Sequence, residues 1–306
     1  MEKMNRETEN NKRRRLFKRS KSDLPPLALT KRDVLMLELV SDYRFLTTFQ
    51  IQALVGGSKH NVSERLSRLF QHGYIDRPDH QRELRSEGQR VLVHALGAKG
   101  ARLLIERSGE TGSPPRHLAE DNRTAKRVHL AHTLMVSQFR VCLTLACQRH
   151  ASIDLALWEI PERALARVLL AGRRVPVVPD GYFILKDADG HTAHFYLEAD
   201  RGTMTHDRFL RKLQAYWRAH SSGSSSLFPR SFRVLSITLS QARMENLLIT
   251  AATADRKKKG SRMFYFACQD AYSLDQFEPI LDFIWRTPAD AKTHSLLEGN
   301  RATNSS

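Results

Sequence analysis

The spacing of apolar and polar positions predicts a run of short helices at the start of the chain and alternating strands and helices later. Thr30 opens a helix, with Asp33 three residues on in near capping-box spacing. Val34, Leu35, Leu37, Leu39 and Val40 give this helix an apolar face through about Tyr43. A cap at Thr47 or Thr48 starts a short helix with Ile51, Leu54 and Val55, and Gly56-Gly57-Ser58 makes the next turn. A third helix over residues 59–72 repeats Val62, Leu66, Leu69 and Phe70 at core spacing. Tyr74-Ile75 and residues 90–96 then read as two strands joined by a polar tip. Three helices and a hairpin with a charged tip describe a winged helix-turn-helix over residues 29–108, a fold used to place one helix in the major groove of DNA.

The pattern changes after GETGSPP (109–115), and residues 109–121 read as a linker. A long helix over 122–147 is followed by a strand at 153–160. A hairpin at 175–185 and 192–200 turns at Asp187-Ala188-Asp189-Gly190. A helix at 206–220, a Ser-rich loop at 221–226, a strand at 232–239, a helix at 241–253 and a strand at 263–267 complete the series. The fold class is therefore mixed α+β or α/β. The order α-β-β-β-α-β over residues 122–287 is that of a restriction-endonuclease-like core.

Charge narrows the partner. Forty-nine Lys and Arg face 33 Asp and Glu, a net +16, which points to a polyanion, double-stranded DNA before an anionic membrane. Residues 1–21 carry nine of the cations and three Glu, a net +6, without helical or strand period. Residues 1–28 are therefore expected to be a disordered basic tail, and polar residues 288–306 a second disordered tail. The remaining +10 belongs to the rest of the chain. On the third helix Lys59, Asn61, Ser63, Arg65, Ser67 and Arg68 are the candidate DNA contacts, with Arg77, Arg82 and Arg85 on the wing. No apolar stretch approaches the roughly 20 residues of a membrane span, and no secretory signal opens the chain, so no membrane insertion is expected. Cys142, Cys147 and Cys268 form no CxxC pair, which argues against a disulfide framework and fits a cytoplasmic location.

The candidate chemistry lies in the second hairpin. Pro179-Asp180 sits on one strand and Glu198-Ala199-Asp200 ends the next, so Glu198 and Asp200 share a face. Asp180 comes alongside them through the turn. Three carboxylates at one sheet edge suit Mg²⁺ or Mn²⁺, which take oxygen ligands. Lys212 on the next helix is a further cation for a scissile phosphate, and Glu159 is a solvated acid or a fourth ligand. His191 and His194 are expected at the surface, and Tyr216 and Trp217 either in the core or stacked on bases. No phosphate-binding Gly-rich loop ending in Lys-Ser/Thr occurs, which excludes one route to ATP hydrolysis.

Several segments resemble the replication-relaxation family of plasmid and mobile-element proteins, which includes mobilisation relaxases built on the PD-(D/E)xK nuclease fold. They are ALGAKGARLL (95–104), VHLAHTLMVSQFRV (128–141), VPDGYFIL (178–185) and FYLEADRGTMTHDRFLRKLQAYW (195–217). The resemblance implies metal ligands at Asp180 and Glu198 and a protein that nicks or holds DNA at an origin of transfer or replication, with other relaxosome or replication proteins as further partners. It also departs from the pattern, which would put a lysine where this chain has Asp200, followed by Arg201. Lys212 replaces that cation, or Asp200 is a third ligand, or the site only binds DNA. Arg201 joins the candidate DNA contacts.

Overall fold

Thr30 caps the first helix as its spacing predicts. Its backbone N–H donates to Asp33 Oδ2 at 2.6 Å and its Oγ1 accepts from the Asp33 N–H at 3.2 Å. The computed structural model describes residues 16–20, 24–82, 91–109, 121–159, 166–170, 173–222, 231–254 and 260–298, for residues 166–170, 173–177, 221 and 222 the backbone alone. They fall into two compact units, Met1–Ser137 and Gln138–Ser306.

The first unit orders its elements as α1 (Lys31–Tyr43), β1 (Leu46–Thr47), α2 (Thr48–Val55), α3 (Lys59–Gln71), β2 (Ile75–Asp76), β3 (Val93–Leu96) and α4 (Ala98–Ser108). Thr47 caps α2 in a box with Gln50, and Ser58 caps α3 by accepting from the Asn61 N–H at 3.2 Å. The strands form an antiparallel sheet ordered β1-β3-β2. Leu37, Val40, Phe45, Ile51, Val62, Leu66, Leu69 and Ile75 are buried between helices and sheet. Leu35, expected in this core, is 42% exposed, and Met36 takes its place. Asp33 is buried on the same helix as Val34, Met36, Leu37, Val40 and Tyr43. The glycines of ALGAKGARLL have a packing reason: a Cβ on Gly100 would lie 2.2 Å from the Tyr74 carbonyl oxygen.

Two expectations about the chain ends fail. Arg19 donates to the carbonyls of Phe70 and Ile75, at 2.9 and 3.2 Å, and pairs with Asp76, so part of the expected basic tail is tied to the first unit. At the other end, residues 290–298 belong to the second unit. A strand forms there, Leu296 is fully buried, and His294 is held by Asp290 and Glu298 at 2.8 and 3.0 Å. Polar composition conceals an edge strand, because such a strand needs only one buried row. The linker expected at 109–121 lies, except for its ends, outside the described residues.

Helix α5 (Arg127–Arg149) runs through the division of the chain. The second unit continues with β4 (Ile153–Glu159), β5 (Ala166–Leu170), β6 (Arg173–Val177), β7 (Gly181–Asp187), β8 (Thr192–Asp200), α6 (His206–Ser222), β9 (Arg233–Thr238), α7 (Gln241–Ala252) and β10 (Phe264–Cys268), then β11 (Trp285–Thr287) and β12 (Asp290–His294). Seven strands make one sheet in the order β12-β11-β10-β9-β8-β7-β4, parallel from β8 through β10 and antiparallel elsewhere. The strand expected at 175–185 is two strands. Pro179 and Asp180 interrupt it, and β6 pairs with β5 in a separate ribbon.

One face of the large sheet packs Tyr196, Val234, Phe264 and Phe266 against Phe209, Leu213 and Tyr216 of α6 and Met244 and Leu247 of α7. On the alternate residues Phe183 stacks on Phe195, and Phe139 of α5 packs on Phe183 and Trp285. The sheet thus has helices on both faces. Contrary to the expectation that no stretch reaches membrane-spanning length, α5 is long and apolar enough by length and composition. However, 61% of its apolar window is buried inside the protein.

Candidate functional site

The period of β8 puts Tyr196, Glu198 and Asp200 on the face covered by α6 and α7. The two acids meet different partners there. Glu198 is buried at 4% exposure, and Tyr216 of α6 donates its hydroxyl to Oε1 at 2.6 Å. Lys212, one helical turn earlier, donates to Oε2 and also to the Val178 carbonyl oxygen at 3.0 Å. Asp200 is held by Arg243 of α7, whose Nη2 and Nε donate to Oδ2 at 2.7 and 3.0 Å. The Gly202 N–H donates to the other oxygen, Oδ1, at 2.6 Å. Arg243 further donates to the Met204 carbonyl oxygen at 2.6 Å, which fixes the Gly202-Thr203-Met204 turn ahead of α6.

Asp180 stands just before β7, one step beyond the Gly181–Leu197 pair, and so lies across from Glu198. Its N–H donates to the Leu197 carbonyl oxygen and its Oδ2 accepts from the Ala199 N–H, both at 2.8 Å. Gly181 is required next to it, because a Cβ there would lie 2.8 Å from the Trp158 ring. Burial pushes the Glu198 carboxyl up to about 7. The Lys212 charge opposes that rise and the neighbouring Asp180 charge adds to it. Burial and the same Glu198 carboxylate raise the Tyr216 hydroxyl well above its ordinary value.

Asp180, Glu198 and Lys212 therefore come together, whereas Asp200 is committed to Arg243. Among the described residues, the His, Cys, Asp or Glu group of three whose ligand atoms lie within 4.8 Å of one another is Asp187, Asp189 and His191, in the exposed turn of the hairpin. The expected nest of three carboxylates is thus reduced to two. One buried and one half-buried carboxylate beside one ammonium still suit a hard divalent cation, since Mg²⁺ is commonly held by one or two carboxylates plus waters and phosphate oxygens. Asp180 and Glu198 are the residues that would hold it.

The surrounding residues sort as follows. Glu159 is half-buried, and its charge reaches Tyr182 and Tyr196. His194, expected at the surface, is half-buried, and its Nδ1 lies 2.6 Å from the Tyr182 hydroxyl. His191 instead closes the turn with Asp187 at 3.1 Å. Tyr216 is a core residue and Trp217 packs at the core's edge. Arg201 is half-buried beside the turn. Tyr216 and Arg243 were not expected in the site. Tyr216 sits four residues after Lys212, a legible helical signal, but nothing local ties Arg243 to a residue 43 positions earlier.

In the first unit Lys59, Asn61, Ser63 and Arg68 lie on the exposed side of α3, Ser67 is half-buried, and His60 and Glu64 share that face. Lys59 lies over the Phe49 ring at 4.2 Å. Two expected contacts serve the fold instead. Arg65 pairs with buried Asp33, its Nε and Nη2 each donating at 2.6 Å. Arg77 is 5% exposed and lies over Phe70 at 4.2 Å. A buried acid at position 33 needs a charged partner, so Arg65 is committed to an ion pair with Asp33 and keeps 20% of its side chain exposed, while Arg77 is buried. Arg82 is exposed over the Phe17 ring at 4.6 Å. Arg85 lies outside the described residues.

Residues 37–228 match the family described as replication-relaxation. The chain belongs to the replication-relaxation family. Its function is accordingly related to replication or mobilisation. The family match takes in Asp180, Glu198, Asp200 and Lys212 and ends before Arg243, so the partner of Asp200 lies beyond the matched region. No curated protein and no solved structure matches the chain significantly.

Proposed function

We propose that the protein binds duplex DNA through a winged helix-turn-helix in its first unit. The second unit, a PD-(D/E)xK-like core working in the cytoplasm, cuts one strand at an origin of transfer or replication with the help of Mg²⁺ or Mn²⁺. The observation that carries this reading is the meeting of Asp180 and Glu198 across adjacent strands with Lys212 reaching Glu198 from α6. Lys212 supplies the cation missing at position 200.

Each residue has a definable part. Asp180 and Glu198 bind the cation. Bound there, such a cation lowers the pKa of a water and offsets charge on the phosphate. Lys212 and Tyr216 hold the two oxygens of Glu198 in fixed directions. Arg243 and Asp200 brace the turn that starts α6 and so set where Lys212 enters. In the reaction, the water oxygen forms a bond to phosphorus. The bond from phosphorus to one deoxyribose oxygen breaks, and that oxygen leaves with a proton. Neither DNA end stays on the protein.

A second reading, holding DNA without cutting it, is favoured by one feature: both Glu198 oxygens already accept hydrogen bonds from the protein. Nicking of a supercoiled plasmid carrying the cognate origin separates the two. Open circles formed with Mg²⁺ or Mn²⁺ by the wild type and not by Asp180→Ala support the nickase. Tight binding without nicking in either metal overturns it in favour of the holding role.

A further inference from the structure

Helix α6 carries Arg208, Arg211, Lys212 and Arg218 against a single acid, Asp207. Lys212 turns inwards, to Glu198 and the Val178 carbonyl oxygen, and keeps 20% of its side chain exposed. The three arginines are exposed. At about 100° per residue, Arg208, Arg211 and Arg218 lie roughly 40, 100 and 120° round the helix to one side of Lys212. Tyr216 and Phe209, which enter the core, lie about 40 and 60° to the other side. The arginines therefore form one edge of α6, and that edge borders the side chain that reaches the paired carboxylates. Arg208 stands one turn before Lys212, which puts their Cβ atoms about 5–6 Å apart. Among the described residues neither Arg208 nor Arg211 has an acidic partner, and Arg211 Nε donates to the Asp207 carbonyl oxygen of its own helix at 3.3 Å.

The chain beside Lys212 is open to solvent. Val178, whose carbonyl Lys212 holds, is 41% exposed, and Asp180 is half-buried. We infer that Arg208, Arg211 and Arg218 form a phosphate-binding track on α6, which seats the backbone of the strand being cut, in duplex DNA, beside Asp180, Glu198 and Lys212. The track runs about 15 Å along the helix, roughly four nucleotides of rise at about 3.4 Å each. A row of guanidinium groups on a rigid helix suits the regular spacing of duplex phosphates, whose oxygens match the guanidinium fork. Such contacts fix the register of the strand and carry no sequence information. The track thus places the bond that the site acts on, and the choice of sequence lies elsewhere. This deepens the nuclease reading of the second unit and rests on it.

The test uses the full-length chain and two variants of equal charge. Arg208→Gln/Arg211→Gln/Arg218→Gln removes the track. Arg149→Gln/Lys186→Gln/Lys292→Gln removes three exposed cations from α5, the far end of β7 and the edge strand β12. Nicking kinetics and affinity for an origin-bearing duplex are measured across a salt series. Each phosphate contact contributes about 0.9 to the slope of log K against log salt, so the track variant loses about 2.7 from that slope and the control less than about 1. KM for the duplex rises at least about tenfold in the track variant, while kcat at saturating DNA stays within about threefold of wild type. A wild-type slope and KM in the track variant overturns the inference, and so does an equal loss in the control. A fall in kcat with KM unchanged overturns it too, because seating the strand is a binding role. Loss confined to single-stranded DNA of the same sequence overturns the duplex assignment. Should the triple variant unfold, the three single substitutions carry the same readout at about 0.9 of slope each. A wild type that binds the duplex and does not nick it overturns the nickase reading, while the difference in salt slope between the two variants still decides the track.

Discussion

Tyr216 donates its hydroxyl to Glu198 Oε1 at 2.6 Å from the same helical face on which Lys212 reaches Oε2. The two donors are four residues apart, one turn of α6, and together they span one buried carboxylate. Tyr216→Phe keeps the ring in the core and removes a hydrogen bond to a charged group, a change worth about 1.5–3 kcal/mol. Urea denaturation is expected to show a loss of that size with an unchanged slope. A variant as stable as the wild type would contradict the bond.

Lys212→Met removes the cation and leaves Glu198 buried beside Asp180. Breaking a buried pair by removing one partner costs about 3–5 kcal/mol. Adding Glu198→Gln to Lys212→Met is expected to restore part of that loss, because a neutral amide needs no cation. The double-mutant cycle checks this: additive losses would show that the two side chains do not interact. Nicking should fall in Lys212→Met by at least about 10²-fold, in line with removing one preorganised charge from a reacting centre.

Arg65 has a structural partner that its place on α3 does not announce. Its pairing with Asp33, which is 1% exposed, predicts that Arg65→Ala destabilises the first unit by about 3–5 kcal/mol. At temperatures where the variant remains folded, its DNA affinity should stay within about twofold of wild type. Arg68→Ala should do the opposite, weakening DNA binding with little effect on stability, since Arg68 is exposed on the same helix. Melting curves and gel shifts on both variants decide between the assignments.

His94 supplies a pH signature in the first unit. Burial, with the Arg77 charge adding to it, pushes its imidazole down to about 3. Nε2 lies 2.9 Å from the Thr48 hydroxyl, and Nδ1 has no partner among the described residues. In the unfolded chain the ring takes up a proton near pH 6.5, while the folded protein keeps it neutral until about 3. The unfolded state therefore binds more protons across that window, and stability rises with pH there. The contribution is complete above 6.5 and is lost as pH falls towards 3, at up to about 1.4 kcal/mol per pH unit. His94→Gln should flatten this slope in stability measured from pH 4 to 7. An equally steep slope in the variant would remove His94 as its source.

The parts of the structure legible in the sequence are those set by near neighbours. Thr30 and Asp33 form their capping box, Val62, Leu66, Leu69 and Phe70 form the core stripe of α3, and Asp180 and Glu198 meet because a hairpin pairs their strands. What the sequence conceals depends on distant partners. Arg243 takes Asp200 out of the expected acidic nest from 43 residues away, and Asp33 draws Arg65 into an ion pair from 32. Pro179 looked compatible with one continuous strand, but it lacks the N–H a central ladder needs, and β6 and β7 part there. The tie between Arg19 and the Phe70 carbonyl has no local signature, since any exposed arginine in a basic run reads the same.

Nicking of origin-bearing supercoiled plasmid by Asp180→Asn, Glu198→Gln and Asp200→Asn, at saturating Mn²⁺ and with Mn²⁺ affinity measured by calorimetry on the same samples, tests the central claim most directly. The account predicts that Asp180→Asn and Glu198→Gln lose both Mn²⁺ binding and nicking. Asp200→Asn should retain Mn²⁺ binding and lose stability through its broken bond with Arg243. Wild-type nicking by Asp180→Asn or Glu198→Gln, or loss of Mn²⁺ binding in folded Asp200→Asn alone, would contradict it.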